Sequence, residues 1–582
     1  MSARFFAIAD QHGAIVDIER VKRQLPAALA EFRLILKSQR LAVFAAPDAR
    51  ITVLPDGAGV IIGELFHRNG NMQGAPLDRA SAARIVESRG TGLIEDYWGE
   101  YVAFLALPEE LILRDPSGAI PCYRSEVGET AYFYSDIEIL LQRGILDPSI
   151  SWDDLARTAA YPAARSSRTC IAGVRELMPG FGCEITAPSA PDFAFWSPWN
   201  FSRPEYQFKE REEAIDALRD AVEMACACWA DLSNAPMLEL SGGIDSSIVA
   251  VGLALAGVKP LCATLVSSFP GEDEREYAAL AAERIGASWE ILQLRPEDID
   301  MMDVSSGRSC RPLDHPLKRI IDLAFARIGR ERGVDAFFSG SGGDYVLGYL
   351  RSSAPAADAL RSFGFGRRFL AAASDIARLH RASVWKVAHL AVRKAVLASA
   401  PVTQPAPAPF LSKSVRAMTP ALHPWASPPK GVPPGKIEQI SMLASGQGVR
   451  EGRARGGLGP NRAPLLAQPV VEAGLRTPSW MAVEGGRNRA VARDAFASHL
   501  PEAIINRRTK TDFSGLISEI FELNRPVLCE LLLDGALARE GIVDRSALEA
   551  YLRQTRPPED ISFTQALQLA SIELWVQNWR RR

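Results

Sequence analysis

The sequence lacks any long apolar run and carries almost no net charge. None of its hydrophobic segments approaches the ~20 residues that a membrane-spanning helix needs, and the apolar part of its start, MSARFFAIADQHG, is too short for a signal peptide. The net charge of −3 gives no electrostatic reason to expect nucleic acid as the main partner. We therefore expect a cytoplasmic protein that has neither nucleic acid nor a membrane as its partner.

Cysteine is also scarce, with eight residues in a chain of 582. Cys226 and Cys228 are close together, but they fall within one predicted helix, and no second pair stands at zinc-ligand spacing. This excludes a disulfide framework and favours buried, reduced thiols. At 47% hydrophobic and 23% charged residues, the composition is that of a soluble globular protein, and the length requires two or more domains.

The chain changes its hydrophobic period near residue 200. Before it, short apolar or alternating runs such as RLAVFAA, GVIIGELF and EYVAFLALP predict β-strands. A proline-rich stretch, APSAPDFAFWSPWNFSRPE, indicates a linker. After it, strands and helices alternate, which predicts a parallel sheet with helices on both faces, and helices dominate from about residue 350. Overall, the pattern predicts a two-domain α/β protein.

The motif LSGGIDSS, which includes Leu240, follows a predicted strand and opens a helix. Gly242 and Gly243 allow the backbone to approach a ligand closely, and Ser241, Ser246 and the N–H groups of the helix N-terminus can donate to phosphate oxygens. Asp245 would be repelled by phosphate, so it makes sense as a ligand for Mg²⁺. No lysine follows the glycines, so this is not a Walker A loop.

A second glycine-rich loop, FFSGSGGDYVLGY, also follows a predicted strand. It contributes Ser339 and Gly340 as candidate ATP-binding residues and Asp344 as a candidate metal ligand. Parallel sheets bind ligands at the carboxyl ends of their strands, where both loops would lie. We therefore expect Asp245 and Asp344 to share one Mg²⁺ ion beside ATP.

Two later stretches have unusual compositions. Between Arg361 and Lys394 there are eight Lys or Arg residues and one acid, Asp375. This segment is either a solvated basic helical face or a contact surface for an acidic peptide or partner protein. The stretch ASAPVTQPAPAPF is rich in proline and alanine and predicts a mobile loop.

At this point the motifs carry a resemblance to the asparagine synthetase family. LSGGIDSS resembles its pyrophosphate loop, SGSGGDYVLGY its second glycine loop and LPEAIINRRTKTDF its R-x-K-x-x-F element. Three more stretches occur in the same order as in the family: LILRDPSGAIPCYRSEVGETAYFYSDIEILL, SSRTCIAGVRELMPG and PGEDEREYAALAAERIGA. The resemblance implies a glutaminase-type (Ntn-like) β-sandwich domain with helices at 1–195. It also implies an α/β pyrophosphate-loop synthetase domain, of the adenine nucleotide α-hydrolase type, at 205–582, with a helical C-terminal region.

The departures from the family pattern concern the glutamine site. Glutamine-dependent members begin Met-Cys-Gly, whereas Met1 is followed here by Ser2, so no thiolate nucleophile is present. The family's Asn-Gly-Glu has Ile62 in place of Asn, and its Asp-Gly has Trp98 in place of Asp. We therefore expect the N-terminal domain to be a catalytically inactive scaffold.

Two branches of the superfamily share this loss: the β-lactam synthetases and the lasso peptide macrolactam synthetases. The AQPVVE and GGRNRAVAR elements resemble the lasso cyclases, and Ser341 stands where β-lactam synthetases have a tyrosine. The resemblance implies that ATP adenylates an Asp or Glu side chain of a leader-free precursor peptide, whose N-terminal amine then closes the ring. A β-lactam synthetase-like or ammonia-dependent asparagine synthetase-like ligase acting on a small molecule is the alternative.

The resemblance further implies a catalytic role for Lys510, in RRTKTDF, beside the developing charge. It implies a leader peptidase and a leader-recognition protein as partners of the same pathway. Asp314 and His315 are candidates for the general base. A solvated loop or a helix cap explains these two residues equally well, so both interpretations stay open. The residues that line the peptide pocket cannot be identified from the sequence.

Overall fold

The computed structural model describes most of the chain. The described residues are 3–10, 31–68, 77–106, 110–142, 144–185, 191–267, 269, 273–300, 302, 307–312, 316–397, 408–450, 455, 457–508, 513–554 and 560–581. Of the sequence expectations, those for Ser2, for Lys510, for Asp314 with His315 and for most of the Pro/Ala-rich loop fall outside these residues.

The N-terminal part is a sandwich of two antiparallel sheets. The sheet orders are β10-β8-β9-β1-β3-β2 and β12-β11-β7-β6-β5-β4. Alternate residues such as Phe5 and Val43 from one sheet meet Ile62 and Phe104 from the other in a shared core, as the period of two dictates. The strands are β1 Phe5–Asp10, β2 Arg33–Lys37, β3 Leu41–Ala45, β4 Ile51–Leu54, β5 Gly59–His67, β6 Tyr97–Leu105, β7 Leu111–Arg114, β8 Tyr123–Val127, β9 Thr130–Tyr134, β10 Val174–Glu176, β11 Phe181–Glu184 and β12 Phe193–Ala194.

The second part is built on a parallel sheet, as the alternation of strands and helices predicted. Its order is β15-β14-β13-β16-β17, and each pairing is parallel. Met237 and Phe337 pack on one face of the sheet, and Leu238 and Phe338 pack on the other. The strands are β13 Pro236–Glu239, β14 Leu261–Val266, β15 Trp289–Gln293, β16 Ala336–Ser339 and β17 Asn461–Arg462, and a small hairpin is formed by β18 Val483–Glu484 and β19 Arg487–Asn488.

Helices surround both parts and dominate after residue 350, as predicted. Short 3-10 turns are also present, at Pro55–Gly57, Pro198–Phe201, Pro204–Tyr206, Pro296–Asp298, Pro424–Ala426, Gly446–Arg450, Pro464–Leu466 and Ser479–Ala482. The α-helices are α1 Arg79–Glu87, α2 Thr91–Asp96, α3 Glu138–Leu141, α4 Trp152–Ala160, α5 Arg211–Ala230, α6 Ile244–Leu255, α7 Arg275–Ile285, α8 Pro316–Arg332, α9 Gly343–Val346, α10 Ala354–Phe363, α11 Arg367–His380, α12 Val384–Leu397, α13 Lys413–Arg416, α14 Pro434–Ser445, α15 Gln468–Arg476, α16 Ala490–Ala495, α17 Glu502–Ile505, α18 Ser514–Leu533, α19 Ala536–Arg539, α20 Arg545–Arg553 and α21 Phe563–Arg580.

Helix α5 shows how the sequence pattern sets the packing. Leu218, Val222, Cys226 and Trp229 are buried and Ile215 is partly buried, so the apolar residues that recur at helical spacing form the packed face of α5. The cysteines form no disulfide among the described residues, and seven of the eight are buried. None of the described helices has the length and apolar character needed to cross a membrane.

The proline-rich stretch before α5 is not a solvent-exposed linker. Trp196 and Trp199 are buried there, and the indole N–H of Trp196 donates to a carboxylate oxygen of Glu472 on α15 at 3.0 Å. Prolines end regular structure, but they do not prevent the aromatic side chains between them from packing. The stretch is therefore a packed connection between the two parts.

A buried carboxylate, Glu176 on β10, joins further segments of the chain. It is fully buried and accepts from the guanidinium groups of Arg114 at 2.7 Å, Arg165 at 2.8 Å and Arg311 at 3.0 Å. Burial alone would raise the pKa of Glu176, but these three cations together hold it well below its usual value of 4.5. Arg311 thereby ties the segment before α8 to the sandwich.

Candidate active site

The first glycine loop bends tightly between β13 and α6. Gly242 has φ +68°, and a Cβ atom there would lie 2.6 Å from the backbone nitrogen of Ala278, so the turn requires glycine. Ser246 holds the loop from inside the helix: its hydroxyl donates to the carbonyl of Gly243 at 3.2 Å and accepts from the amide of Ser241 at 3.2 Å. Helix α6 begins at Ile244, and Gly243 is its N-cap residue.

The second glycine loop leaves β16 and contacts the first loop directly. A Cβ atom on Gly340 would lie 2.5 Å from the amide nitrogen of Ser246, and one on Gly343 would lie 2.4 Å from Cγ of Asp245. Only glycine allows this approach. β13 and β16 are neighbouring parallel strands, so their two loops lie at the same edge of the sheet.

Both loops line one cavity of about 430 Å³, a size within the usual range for small-molecule sites. Of the residues predicted to bind ATP or metal, all but Gly242 line it: Leu240, Ser241, Gly243, Asp245, Ser246, Ser339, Gly340 and Asp344. Gly242 faces α7 instead. The structure thus brings the predicted residues of the two loops together.

The two aspartates share a cation that the sequence analysis did not identify. Arg489, at the N-terminal end of α16, donates from Nη2 to Oδ2 of Asp245 at 3.0 Å and also to Oδ1 of Asp344. Its guanidinium lies over the ring of Tyr349, 4.3 Å from the centroid, and the residue is only 5% exposed. The two carboxylates therefore meet at a single point of positive charge.

This arrangement fits Mg²⁺. Carboxylate oxygens are the hard ligands that Mg²⁺ takes from proteins, usually one or two of them, with substrate phosphates and water completing its shell. Asp245 and Asp344, which both line the cavity, would be the protein's contribution to such a site. Mg²⁺ would have to compete with Arg489 for them.

Two more arginines line the cavity. Arg493 is buried, and burial together with the neighbouring Arg489 lowers its pKa to about 10; it donates to the carbonyl of Ile504 at 3.1 Å. Arg507 forms an ion pair with Glu274 and donates to the carbonyl of Gly242 at 3.2 Å. The signal in the sequence that could have identified both was the arginine-rich GGRNRAVAR element, which contains Arg489 and Arg493.

The candidate catalytic residue Lys510 lies outside the described residues. It stands in the sequence between Arg507 and Phe513, which both line the cavity. Asp314 and His315 also lie outside the described residues, so their role stays open.

The positions that hold glutamine in the resembling family are packed here. Ile62 is fully buried in the core between the two sheets. Trp98 is fully buried against Phe66 and Trp229, with ring centroids 4.7 and 5.7 Å away. Trp229 belongs to α5, so the place of the missing aspartate is filled by aromatic side chains from both parts of the chain.

An ion-pair cluster lies beside these aromatic rings. The Arg462 guanidinium lies over the Trp229 ring, 4.2 Å from its centroid, and pairs with Glu100 and, at 3.5 Å, with Glu64. The AQPVVE element adds a second link, in which Arg68 donates to both carboxylate oxygens of Glu472, at 2.7 and 2.8 Å. The sandwich and the parallel-sheet part are therefore joined through side chains near the former glutamine positions.

Comparison with known proteins gives one strong match. The sequence pattern of the asparagine synthase family matches residues 213–577. No curated protein matches the chain significantly. Solved structures that resemble it include the allosteric regulatory enzyme of purine biosynthesis, at 12% identity and a TM-score of 0.20, covering 50% of this chain and 75% of that one. Another is the glutamine phosphoribosylpyrophosphate amidotransferase from B. subtilis complexed with ADP and GMP, at 11% identity and a TM-score of 0.19, covering 58% and 76%.

Likenesses as distant as those of the two solved structures carry no argument for this chain. The family match covers well over half of the 582 residues and contains both glycine loops, Arg489 and the RRTKTDF element. The chain therefore belongs to the asparagine synthase family and is an ATP-dependent amide-forming ligase.

Proposed function

We propose that the protein closes a macrolactam ring in a leader-free precursor peptide, as a lasso peptide macrolactam synthetase. A side-chain carboxylate of the peptide is adenylated with ATP, and the peptide's own N-terminal amine then forms the isopeptide bond. AMP and pyrophosphate are the other products. A synthetase domain at 205–582 carries out this chemistry, and an inactive glutaminase-type domain at 1–195 serves as a scaffold.

The observation that carries the proposal is the packing of Trp98 between Phe66 and Trp229. An aromatic side chain at this place excludes the hydrogen bonds that a bound glutamine would need, and the sequence has no cysteine at position 2. On this proposal the domain supplies no ammonia, and the nitrogen nucleophile arrives with the substrate. The resemblance of AQPVVE and GGRNRAVAR to the lasso cyclases favours a peptide amine.

The cavity offers a place for each part of ATP. Ser241, Ser246 and the amides at the start of α6 would bind the phosphates, and the helix dipole favours their negative charge. The apolar part of the lining, suited to the flat face of a base, comprises Ala263, Leu265, Ile321, Phe325 and Phe513. When bound by Asp245 and Asp344, Mg²⁺ would neutralise charge on the polyphosphate.

In the first step, a carboxylate oxygen of the peptide attacks the α-phosphorus of ATP. The bond from that phosphorus to the oxygen bridging to the β-phosphate breaks, so an acyl-adenylate forms and pyrophosphate leaves. Negative charge builds up on the departing pyrophosphate, and Arg493 and Arg507 line the cavity where it forms. Preorganised positive charge of this kind typically lowers a barrier by ~3–4 kcal/mol.

In the second step, the peptide's N-terminal nitrogen attacks the acyl carbon. The carbon–oxygen bond to AMP breaks, and the proton of the amine passes to solvent or to a base. An α-amine has a pKa near ~8, against ~10.4 for a lysine side chain, so part of it is neutral at cellular pH. Lys510 is our candidate for stabilising the charge on the tetrahedral oxygen, and the enzyme's larger task is to hold the folded peptide in place.

The test is to incubate the full-length enzyme with a synthetic leader-free peptide, ATP and Mg²⁺. The peptide carries an Asp or Glu some residues after its free N-terminus. We expect it to lose the mass of one water, with one AMP and one pyrophosphate formed for each ring. Mass spectrometry and a pyrophosphate assay measure the two results.

Two control peptides separate the steps. N-acetylation should still allow a first round of pyrophosphate release but prevent the loss of water and further turnover, because the blocked amine cannot displace AMP from the acyl-adenylate. Replacing the ring acid by its amide should prevent both. Pyrophosphate release that needs only free aspartate and ammonia would contradict the proposal and favour the small-molecule alternative.

A substitution at Ser2 tests whether the N-terminal domain is inactive. Ser2→Ala should leave the rate of peptide cyclisation unchanged, because the domain supplies no nucleophile. It should also leave glutamate release from glutamine at background, as in the unsubstituted protein. If the unsubstituted protein releases glutamate from glutamine above background and Ser2→Ala abolishes that release, Ser2 acts as an N-terminal nucleophile. A large loss of peptide cyclisation in Ser2→Ala would mean the same.

A further inference from the structure

The basic segment predicted from the sequence forms a helical hairpin. Helices α11 and α12 run antiparallel, joined at Arg381, whose φ of +50° makes the turn. They pack on each other and on α10 through small and apolar residues: Ala356, Ala357, Phe369, Ala372, Ala373, Ile376, Val387 and Ala391. At 1.5 Å per residue, each 14-residue helix of the hairpin is ~21 Å long. The outward face of the hairpin is left to solvent.

Large apolar side chains project from this hairpin. Trp385 is 80% exposed, Phe365 79%, Val396 77% and Leu397 69%, which makes them the most exposed large hydrophobic residues in the described part of the chain. Phe365 precedes α11, whereas Trp385 is near the start of α12, so the two aromatic rings lie toward opposite ends of the hairpin. Single exposed apolar residues are common, but four such side chains on one helical hairpin indicate an interaction surface.

The segment that carries these side chains is strongly basic. The segment 361–394 carries eight basic residues and one acid, a net charge of +7, so the rest of the chain, with −3 overall, carries −10. The one acid, Asp375, turns inward, where the backbone amides of Gly485 and Gly486 bind it. Exposed arginines and a lysine remain outside, at Arg367, Arg368, Arg378, Arg381, Lys386 and Arg393. The partner of this face therefore has to be negatively charged.

We propose that this hairpin face docks on an anionic lipid bilayer. Side chains that are more than two thirds exposed project from the surface instead of lining a groove, so they suit a soft apolar medium better than a preformed peptide site. Trp and Phe beside Lys and Arg are the side chains that enter the headgroup region of membranes. This revises our expectation from the sequence that no membrane takes part, since peripheral contact requires no spanning helix.

The test measures sedimentation of the full-length protein with vesicles, without ATP or peptide, so its outcome is independent of the proposed reaction. We expect binding to phosphatidylcholine vesicles that contain about one third phosphatidylglycerol, and not to pure phosphatidylcholine. Binding should fall steeply in ~0.5 M NaCl because salt screens the attraction. Two double variants test the two kinds of contact. One carries Phe365→Ser and Trp385→Ser, and the other carries Lys386→Glu and Arg393→Glu. Each should weaken vesicle binding at least ~10-fold.

The matched control is Ile561→Ser, which removes a 66% exposed apolar side chain outside the hairpin and should bind like the unsubstituted protein. Circular dichroism should show that the variants remain folded, since the replaced side chains are exposed. Equal binding by the hairpin variants, or no binding to the anionic vesicles, overturns the proposal. The protein could instead bind a polyglutamate peptide and no vesicles. If the double variant Lys386→Glu with Arg393→Glu loses that peptide binding, the face is assigned to an acidic protein partner.

Discussion

Asp245→Asn and Asp344→Asn should each lower ATP-dependent pyrophosphate release by about 10³-fold, because a magnesium ligand is worth several kcal/mol to charge stabilisation. Asparagine keeps the shape of each side chain but removes the charge on which both the ion and Arg489 depend. Binding supplies a second measurement. ATP with Mg²⁺ should raise the melting temperature of the unsubstituted protein and should raise that of either variant far less.

The control is Asp216→Asn, an aspartate on α5 whose side chain is 65% exposed. It should change neither pyrophosphate release nor the melting shift. If the Asp245 and Asp344 variants release pyrophosphate at the normal rate, the two loops do not form the nucleotide site. If they fail only because the protein unfolds, their melting curves without ATP will show it.

Glu176→Gln should reduce the free energy of unfolding by about 3–5 kcal/mol, the usual effect of removing one partner from a buried ion-pair network. The change leaves the guanidinium groups of Arg114, Arg165 and Arg311 around a neutral amide, and two of these arginines are themselves buried. Urea unfolding monitored by circular dichroism measures this change in the free energy of unfolding. Asp153→Asn, which breaks an exposed pair with Arg157, is the control and should cost less than ~0.5 kcal/mol.

The same network predicts an acid dependence of stability. The folded protein holds the pKa of Glu176 below 4.5, so the unfolded chain binds the proton first as the pH falls. The contribution of Glu176 is therefore complete above about pH 4.5 and is lost progressively below it. Glu176→Gln should lack this part of the dependence. A loss of stability below ~1 kcal/mol at neutral pH would contradict the role given to the carboxylate.

Local pattern was sufficient for the main elements of the fold. The helix predicted around Cys226 and Cys228 is α5, and the alternation of strands and helices predicted the parallel sheet. Both are decided by short-range periodicity, which a sequence displays directly. The linker predicted in the proline-rich stretch carried no information on packing, because turn residues reveal where regular structure stops, and not whether Trp196 and Trp199 are buried.

The glycine loops were predictable because each follows a strand, and the ends of parallel strands meet at one edge of the sheet. This rule alone is enough to place Asp245 and Asp344 close together. Arg489 was not predicted, although it lies in the GGRNRAVAR element, because it is 145 residues from Asp344 and 244 from Asp245. Whether a side chain that far along the chain reaches the loops depends on how α16 packs.

The sequence by itself determined that two glycine-rich loops with one aspartate each follow predicted strands and that Ser2, not a cysteine, follows Met1, because both are properties of residue types in local positions. Only the tertiary structure decided three further points. Arg489 binds both aspartates, Trp98 is packed against Trp229 of the other part of the chain, and Trp385 and Phe365 project into solvent beside basic residues. Each results from contacts or exposure set by packing between segments distant in sequence, which no local pattern encodes.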